Sequence, residues 1–166
     1  MGSPFCPALR NLLVKSSTGL PARVHQGGTY VCMEGPQFST RAESELHRAW
    51  GATLIGMTAM PEAKLAREAE ICYALVALPT DYDCWRPHPA NVDQAKLLEE
   101  ILSNVKVATQ NAIELVRRAV PGVPSLAEKA CPRQSALQLA IWSDKGKVPP
   151  ETRTKLWPLL GKDLEP

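Results

Sequence analysis

The sequence lacks the features of several large classes of protein. Only 5% of its 166 residues are aromatic, and 19 basic against 17 acidic residues leave a formal net charge of +2. No block of Lys and Arg stands out, so the basic surface of a nucleic-acid-binding protein is missing. No apolar run approaches the roughly 20 residues of a membrane span, and no secretory signal pattern is visible. We therefore expect a cytoplasmic protein that binds neither nucleic acid nor membrane.

Cysteine and glycine spacing argues against several common sites. The five cysteines are odd in number and never have C-x-x-C spacing, which argues against a disulfide framework and a structural zinc site. Gly27-Gly28-Thr29 lacks the further glycines of a phosphate-binding loop. No Gly-x-Ser-x-Gly elbow occurs. The sequence predicts no metal site.

Proline placement marks out one long helix. Eight of the fifteen prolines lie in residues 1–90, seven lie in 121–166, and none lies between. Within this proline-free window, apolar residues from Leu97 to Val116 recur at spacings of three and four, which predicts a helix over about 93–119. We interpret its apolar stripe as a face that packs on the core.

Three apolar runs separated by helical patterns predict a parallel β-sheet. Thr40, followed by Glu43, has the capping-box spacing that opens the first intervening helix. The last run is apolar throughout, as expected of a strand covered on both faces. Strands joined by a helix should be parallel, with right-handed crossovers. The predicted strands are 29–34, 52–58 and 71–78, and the other predicted helices are 7–16, 40–50, 61–69, 135–142 and 150–160.

This order of elements indicates the α/β class with an incomplete sheet. Three strands are few for so many helices, because sheets more often have about five or six strands. The chain has the pattern of part of a larger fold.

Polar residues follow each predicted strand, where ligands bind in parallel α/β sheets. Asp81 and Asp83 come after the third strand, and residues two apart in extended chain point to the same side. Two adjacent carboxylates repel when both are ionised, so the pair can hold a proton for donation to a ring nitrogen. The alternative is that both aspartates cap backbone N–H groups of their own loop.

Several segments together resemble the S-methyl-5'-thioadenosine phosphorylase family, of the trimeric class of purine nucleoside phosphorylases. The most specific are Glu34-Gly35-Pro36-Gln37-Phe38-Ser39, Gly56-Met57-Thr58 and Thr80-Asp81-Tyr82-Asp83-Cys84-Trp85. The resemblance implies the C-terminal part of a phosphorylase-type three-layer α/β fold with a central mixed sheet. Residues 1–124 would belong to the nucleoside phosphorylase domain and residues 125–166 would form its helical tail.

The resemblance also implies an activity, a pentosyl transfer from S-methyl-5'-thioadenosine to phosphate. The products would be adenine and 5-methylthioribose 1-phosphate, with inorganic phosphate as co-substrate, no cofactor, and a homotrimer as the complete enzyme. By position, Asp81 and Asp83 would engage the adenine N7 and 6-amino group. Substrate contacts would come from Phe38, Ser39, Met57, Tyr82 and Val92, and Thr58 would bind phosphate.

The sequence also departs from the family pattern. Family members have a further N-terminal half that supplies most phosphate ligands, and this sequence begins after it. We therefore expect a C-terminal portion that is inactive alone. The alternatives are a non-catalytic remnant that associates with intact subunits, or a purine nucleoside phosphorylase that prefers methylthioinosine.

Overall fold

The computed structural model describes residues 2–87, 93–127 and 131–164. Within these ranges, no helix combines the length and the apolar character needed to cross a membrane. The described residues contain strands β1 (Tyr30–Cys32) and β2 (Leu54–Gly56), and 3-10 turns at Val120–Gly122, Pro132–Ser135 and Lys145–Lys147. The helices are α1 (Pro7–Ser16), α2 (Arg41–Ala49), α3 (Ala59–Glu68), α4 (Gln94–Ala119), α5 (Pro124–Ala127) and α6 (Pro150–Leu164).

A β-α-β unit positions the first two predicted strands as expected. β1 pairs with β2 in parallel, with Tyr30 opposite Leu54, and α2 connects them. The capping box is confirmed, because the Thr40 backbone N–H donates to Glu43 Oε2 over 2.7 Å and the Glu43 N–H donates to Thr40 Oγ1 over 3.3 Å. These bonds supply partners for N–H groups at the start of α2 that would otherwise have none within the helix.

The prediction of a third strand at 71–78 is wrong, because this segment does not pair with the described sheet. The segment is not assigned as a strand, and it forms no ladder with β1 or β2 in the part of the chain that the structure describes. A small cavity of about 210 Å³ separates this segment from β2, and it is lined by residues of β2 and by Leu75 to Pro79. An apolar run becomes a paired strand only where a neighbouring backbone supplies partners.

The long helix α4 forms as predicted, but its apolar stripe is only partly covered. Asp93 Oδ1 accepts a hydrogen bond from the Ala95 N–H over 3.0 Å and caps the helix. Leu115 and Ala119 are buried, whereas the side chains of Leu98 and Leu102 are 56% and 58% exposed. Ile113 and Val116 are also 49% and 47% exposed, so the expected core face is covered only in part, around Leu115 and Ala119.

The chain exposes far more surface than a compact monomer of its size. Its accessible surface is 12220 Å², whereas about 8,100 Å² is expected for a compact protein of this mass. The buried hydrophobic residues in the described ranges are Cys6, Ala59, Ala63, Leu115, Ala119 and Leu164. The core of this fold is therefore small.

The C-terminal tail docks on the corner that follows α3. The buried Glu70 carboxylate forms an ion pair with Lys162 of α6 and accepts a hydrogen bond from the Leu137 N–H over 3.0 Å. The Arg133 guanidinium donates to the Phe5 carbonyl over 2.8 Å. The predicted helix at 150–160 is confirmed and reaches Leu164, but turns replace the one predicted at 135–142.

The Glu70 contacts predict acid-sensitive docking of the tail. Hydrogen bonds from Lys162 and the Leu137 N–H lower the pKa of Glu70, so its stabilisation is present above the unfolded-state pKa of about 4.3. That stabilisation is lost as the pH falls through the lower pKa of the folded protein. We expect Glu70→Gln to reduce the free energy of unfolding at pH 7 by about 1–3 kcal/mol, as measured by urea titration.

The loss of unfolding free energy caused by Glu70→Gln should shrink toward zero when the urea titration is repeated at strongly acidic pH, where wild-type Glu70 is itself protonated. Glu99→Gln, at an exposed position on α4, is the matched control and should change little. Equal losses at neutral and acidic pH would contradict this account.

Candidate functional site

The turns at the ends of β1, β2 and the 71–80 segment contact one another. Met57, after β2, lies against Gly35, where an added Cβ atom would be 2.8 Å from Met57 Sδ. Cys84, beyond the 71–80 segment, donates through Sγ to the Ser39 carbonyl over 3.2 Å. Three segments that are distant in sequence therefore meet at one edge, as the parallel strand pattern predicts.

Gly35 permits the close approach of the first two turns. Its φ is +71°, a conformation that is costly for residues with a Cβ atom. The Met57 thioether also occupies the space that a side chain at this position would need. Glycine at this position therefore allows the β1 turn to pack on Met57.

Asp81 and Asp83 have different surroundings. Asp83 is half-buried, and its Oδ1 accepts a hydrogen bond from the Cys84 N–H over 2.9 Å, which is the loop-capping contact expected under the alternative interpretation. Asp81 is exposed and makes no hydrogen bond or ion pair with the rest of the described chain. Its carboxylate is therefore available to a ligand, whereas Asp83 keeps one oxygen for a ligand.

A side chain of α4 anchors the aspartate loop. Asn104 Nδ2 donates to the Thr80 carbonyl over 2.8 Å, immediately before Asp81. The sequence pattern does not reveal Asn104, because it lies beside the apolar stripe of α4 and other amide side chains such as Gln110 and Asn111 occur on the same helix. This bond fixes the backbone from which Asp81 projects.

Aromatic rings and guanidinium groups contact one another at the far end of the same loop. The Tyr82 and Trp85 rings meet edge to face with centroids 5.8 Å apart. Arg48 of α2 lies 3.9 Å from the centroid of the Trp85 ring, and Arg86 lies 4.3 Å from that of Tyr82. Such cation–π contacts favour one loop conformation, and Arg48 is a positioning residue that the sequence pattern does not reveal.

The remaining predicted substrate residues lie near these turns, in varied environments. Phe38 is 84% exposed, so its ring is free to cover a flat ligand. Ser39 is half-buried and its Oγ donates to Met33 Sδ over 3.8 Å. Val92 lies outside the described residues.

Thr58 is at the start of α3. It is the N-cap residue, but its side chain makes no capping hydrogen bond, and it borders the small cavity beside β2. The first turn of α3 offers few N–H groups to an anion, because the Met60 N–H donates to Cys32 Sγ over 3.5 Å and Pro61 has no N–H. The Thr58 hydroxyl is the group at this position that suits a phosphate oxygen.

A larger groove of about 1220 Å³ runs between α4, α1 and the 75–81 segment. Asp81, Tyr82 and Asn104 are among its lining residues, but Phe38, Ser39 and Met57 are not. Tyr30 also borders it, and burial raises the pKa of this phenol, so the ring stays neutral at physiological pH. The predicted residues therefore share one edge of the fold but are not gathered in one cavity.

The family model described as the phosphorylase superfamily matches residues 1–121. Among curated proteins, S-methyl-5'-thioadenosine phosphorylase of Geobacter sulfurreducens is 47% identical over 158 residues, which cover 95% of this chain and 53% of that protein. The protein of the same name from Thermosynechococcus vestitus is 48% identical, with 97% and 55% covered. The chain spans about half the length of the curated relatives that it matches.

Solved structures give the same result. A methylthioadenosine phosphorylase from an antarctic soil metagenomic library is similar with a TM-score of 0.79 and 38% identity, covering 100% of this chain and 55% of that one. Methylthioadenosine phosphorylase from Schistosoma mansoni in complex with adenine has a TM-score of 0.60 and 31% identity, covering 75% and 48%.

Proposed function

Because the chain belongs to the phosphorylase superfamily, we propose that it carries the nucleoside-binding side of an S-methyl-5'-thioadenosine phosphorylase. The observation that carries this proposal is the meeting of three turns, through Gly35 with Met57 and Ser39 with Cys84. These turns bear the residues assigned to base, ribose and phosphate. Residues 1–124 form the catalytic part, and residues 125–166 form a tail that braces it.

Asp81 assists departure of the base. Cleavage of the glycosidic bond leaves positive charge on the sugar, and adenine leaves more readily when its N7 is protonated or hydrogen-bonded. General-acid assistance of this kind typically contributes about 10²–10⁴ in rate. The exposed, unpaired carboxylate of Asp81 and the anchoring of Thr80 by Asn104 support this role.

Asp83 favours a 6-amino purine. The oxygen that does not accept from the Cys84 N–H can accept from an exocyclic amine, whereas a 6-oxo group offers no donor. A carboxylate oxygen that the bound base buries without a donor costs about 1–3 kcal/mol. Phe38 covers the face of the base, Ser39 contributes to base preference, Tyr82 shapes the loop and Met57 packs under the ribose.

Phosphate binding needs more of the fold than this chain supplies. Thr58 is the inherited phosphate contact, and one hydroxyl with a helix terminus does not balance a divalent anion. The described residues form a sheet of two strands, the accessible surface is 12220 Å², and the chain spans about half the length of its relatives. These three observations support a requirement for the remaining half of the fold. The completed enzyme is then a cytoplasmic homotrimer.

Adenine release tests the proposal. The chain is mixed with methylthioadenosine and phosphate, with and without a polypeptide comprising the remaining half of the Geobacter sulfurreducens relative. Phosphate-dependent adenine release is expected only from the mixture. Methylthioinosine is offered in parallel and should react more slowly. A correctly assembled mixture that releases no adenine would overturn the proposal.

The large exposed surface favours a second candidate, a non-catalytic chain that associates with intact subunits. Size-exclusion chromatography with the full-length relative separates the two candidates. Co-elution without any gain of activity in the complementation mixture would support the non-catalytic role.

A further inference from the structure

Three cysteines that are far apart in sequence meet where the tail docks. Cys6 precedes α1, Cys72 follows α3 and Cys131 precedes the 3-10 turn at Pro132–Ser135 in the tail. Their Sγ atoms all lie within 4.8 Å of one another, and those of Cys72 and Cys131 are 3.2 Å apart. Neither their spacing nor their number suggests this cluster.

The two closest thiols have opposite acid–base properties. Hydrogen bonds from the Arg133 backbone N–H and from Cys72, together with the nearby Arg133 guanidinium, lower the pKa of Cys131. Burial, with hydrogen bonds to the other two thiols, raises the pKa of Cys72 to about 12. Cys131 is partly exposed, and a partly exposed thiol beside a cation is the usual setting of a reactive cysteine.

We propose that Cys131 and Cys72 form a peroxide-oxidisable pair, in which Cys131 is the attacking thiol and Cys72 the resolving thiol. The pair is independent of the proposed phosphorolysis. It matches the known arrangement of redox-sensitive cysteines, an accessible thiolate next to a second thiol. Cys6, buried and within the same cluster, is a bystander.

The chemistry balances with hydrogen peroxide as the oxidant. The Cys131 thiolate attacks one peroxide oxygen, the O–O bond breaks, and the departing hydroxide takes up a proton to become water, leaving a sulfenic acid. The Cys72 sulfur then attacks the Cys131 sulfur, the S–O bond breaks, and the hydroxide that leaves takes the Cys72 proton. One disulfide and two water molecules result from two thiols and one peroxide, and a thiol reductant reverses the change.

The disulfide would join the aspartate segment to the C-terminal tail. Cys72 begins the segment that leads to Asp81, and Cys131 leads into the tail that is held by Glu70 and Lys162. Oxidation would therefore add a covalent link between the tail and the aspartate segment where only non-covalent contacts exist.

Peroxide treatment of the full chain tests the proposal. Of the five thiols, two should disappear, and peptide mass mapping should find the Cys72 peptide linked to the Cys131 peptide. In Cys72→Ser, Cys131 should stop at the sulfenic acid, which dimedone traps. In Cys131→Ser the link should be lost, whereas the matched variant Cys32→Ser should still form it.

Arg133 provides a separate readout. We expect Arg133→Gln to slow alkylation of Cys131 at neutral pH by about tenfold, with recovery in Arg133→Lys. A link between Cys6 and Cys72 in the wild type, oxidation confined to other cysteines, or zinc or copper(I) bound at one equivalent that protects all three thiols would each overturn the proposal.

Discussion

We expect Asp81→Asn in the completed enzyme to lower kcat for methylthioadenosine by about 10²–10⁴. Asparagine keeps the size of the side chain but holds no ionisable proton. Because Asp81 is exposed and makes no hydrogen bond or ion pair with the described chain, its replacement should leave the fold intact, and the loss should appear in turnover rather than in stability. Steady-state adenine release and thermal unfolding of the same preparations measure the two effects.

Asp144→Asn is the matched control for this substitution. Asp144 caps a 3-10 turn in the tail, accepting from the Gly146 N–H over 3.0 Å, and is far along the chain from the aspartate loop. Its variant should turn over substrate at the wild-type rate. Unchanged kinetics for Asp81→Asn would remove Asp81 from the proposed role and leave the remainder of the site assignment standing.

Leu115→Ala should cause the largest loss of stability, about 2–5 kcal/mol in the free energy of unfolding. Leu115 is 5% exposed and lies on α4, the helix that packs on α1. The described core contains few buried apolar side chains, so one deletion removes a large share of it. Because domains are stable by only about 5–15 kcal/mol in total, we expect a pronounced fall in the urea midpoint.

Leu98→Ala on the same helix isolates the effect of burial. The residue type, helix and substitution are identical, but Leu98 is 56% exposed, so its loss should stay within about 0.5 kcal/mol. Similar losses at the two positions in the isolated chain would mean that the outer face of α4 is covered in solution, contrary to the structure.

Local signals in the sequence are the ones that predict structure correctly. The Thr40 and Glu43 capping box and the start of α4 at Asp93 depend on residues within one helical turn. The prediction of a strand at 71–78 fails because an extended run becomes a strand only when a partner backbone is present, and that partner would come from a distant part of the sequence. Its composition carries no information about whether the partner exists.

The same distinction applies to the site. Asp81 and Asp83 are candidates from the sequence because they lie two residues apart at the end of an apolar run, and their roles stay predictions. Asn104 and Arg48 cannot, because each acts on the aspartate loop from a helix that the fold brings near it. The cluster of Cys6, Cys72 and Cys131 is hidden for the same reason.

The β1-α2-β2 unit has a consequence for how this chain folds. Tyr30 and Leu54 pair in register and are only 24 positions apart in the sequence, and the connecting helix has its own N-terminal capping box at Thr40. This separation keeps the loop-closure entropy of pairing β1 with β2 smaller than that of pairing with a segment more distant in sequence. The unit can therefore form before the more distant segments join it.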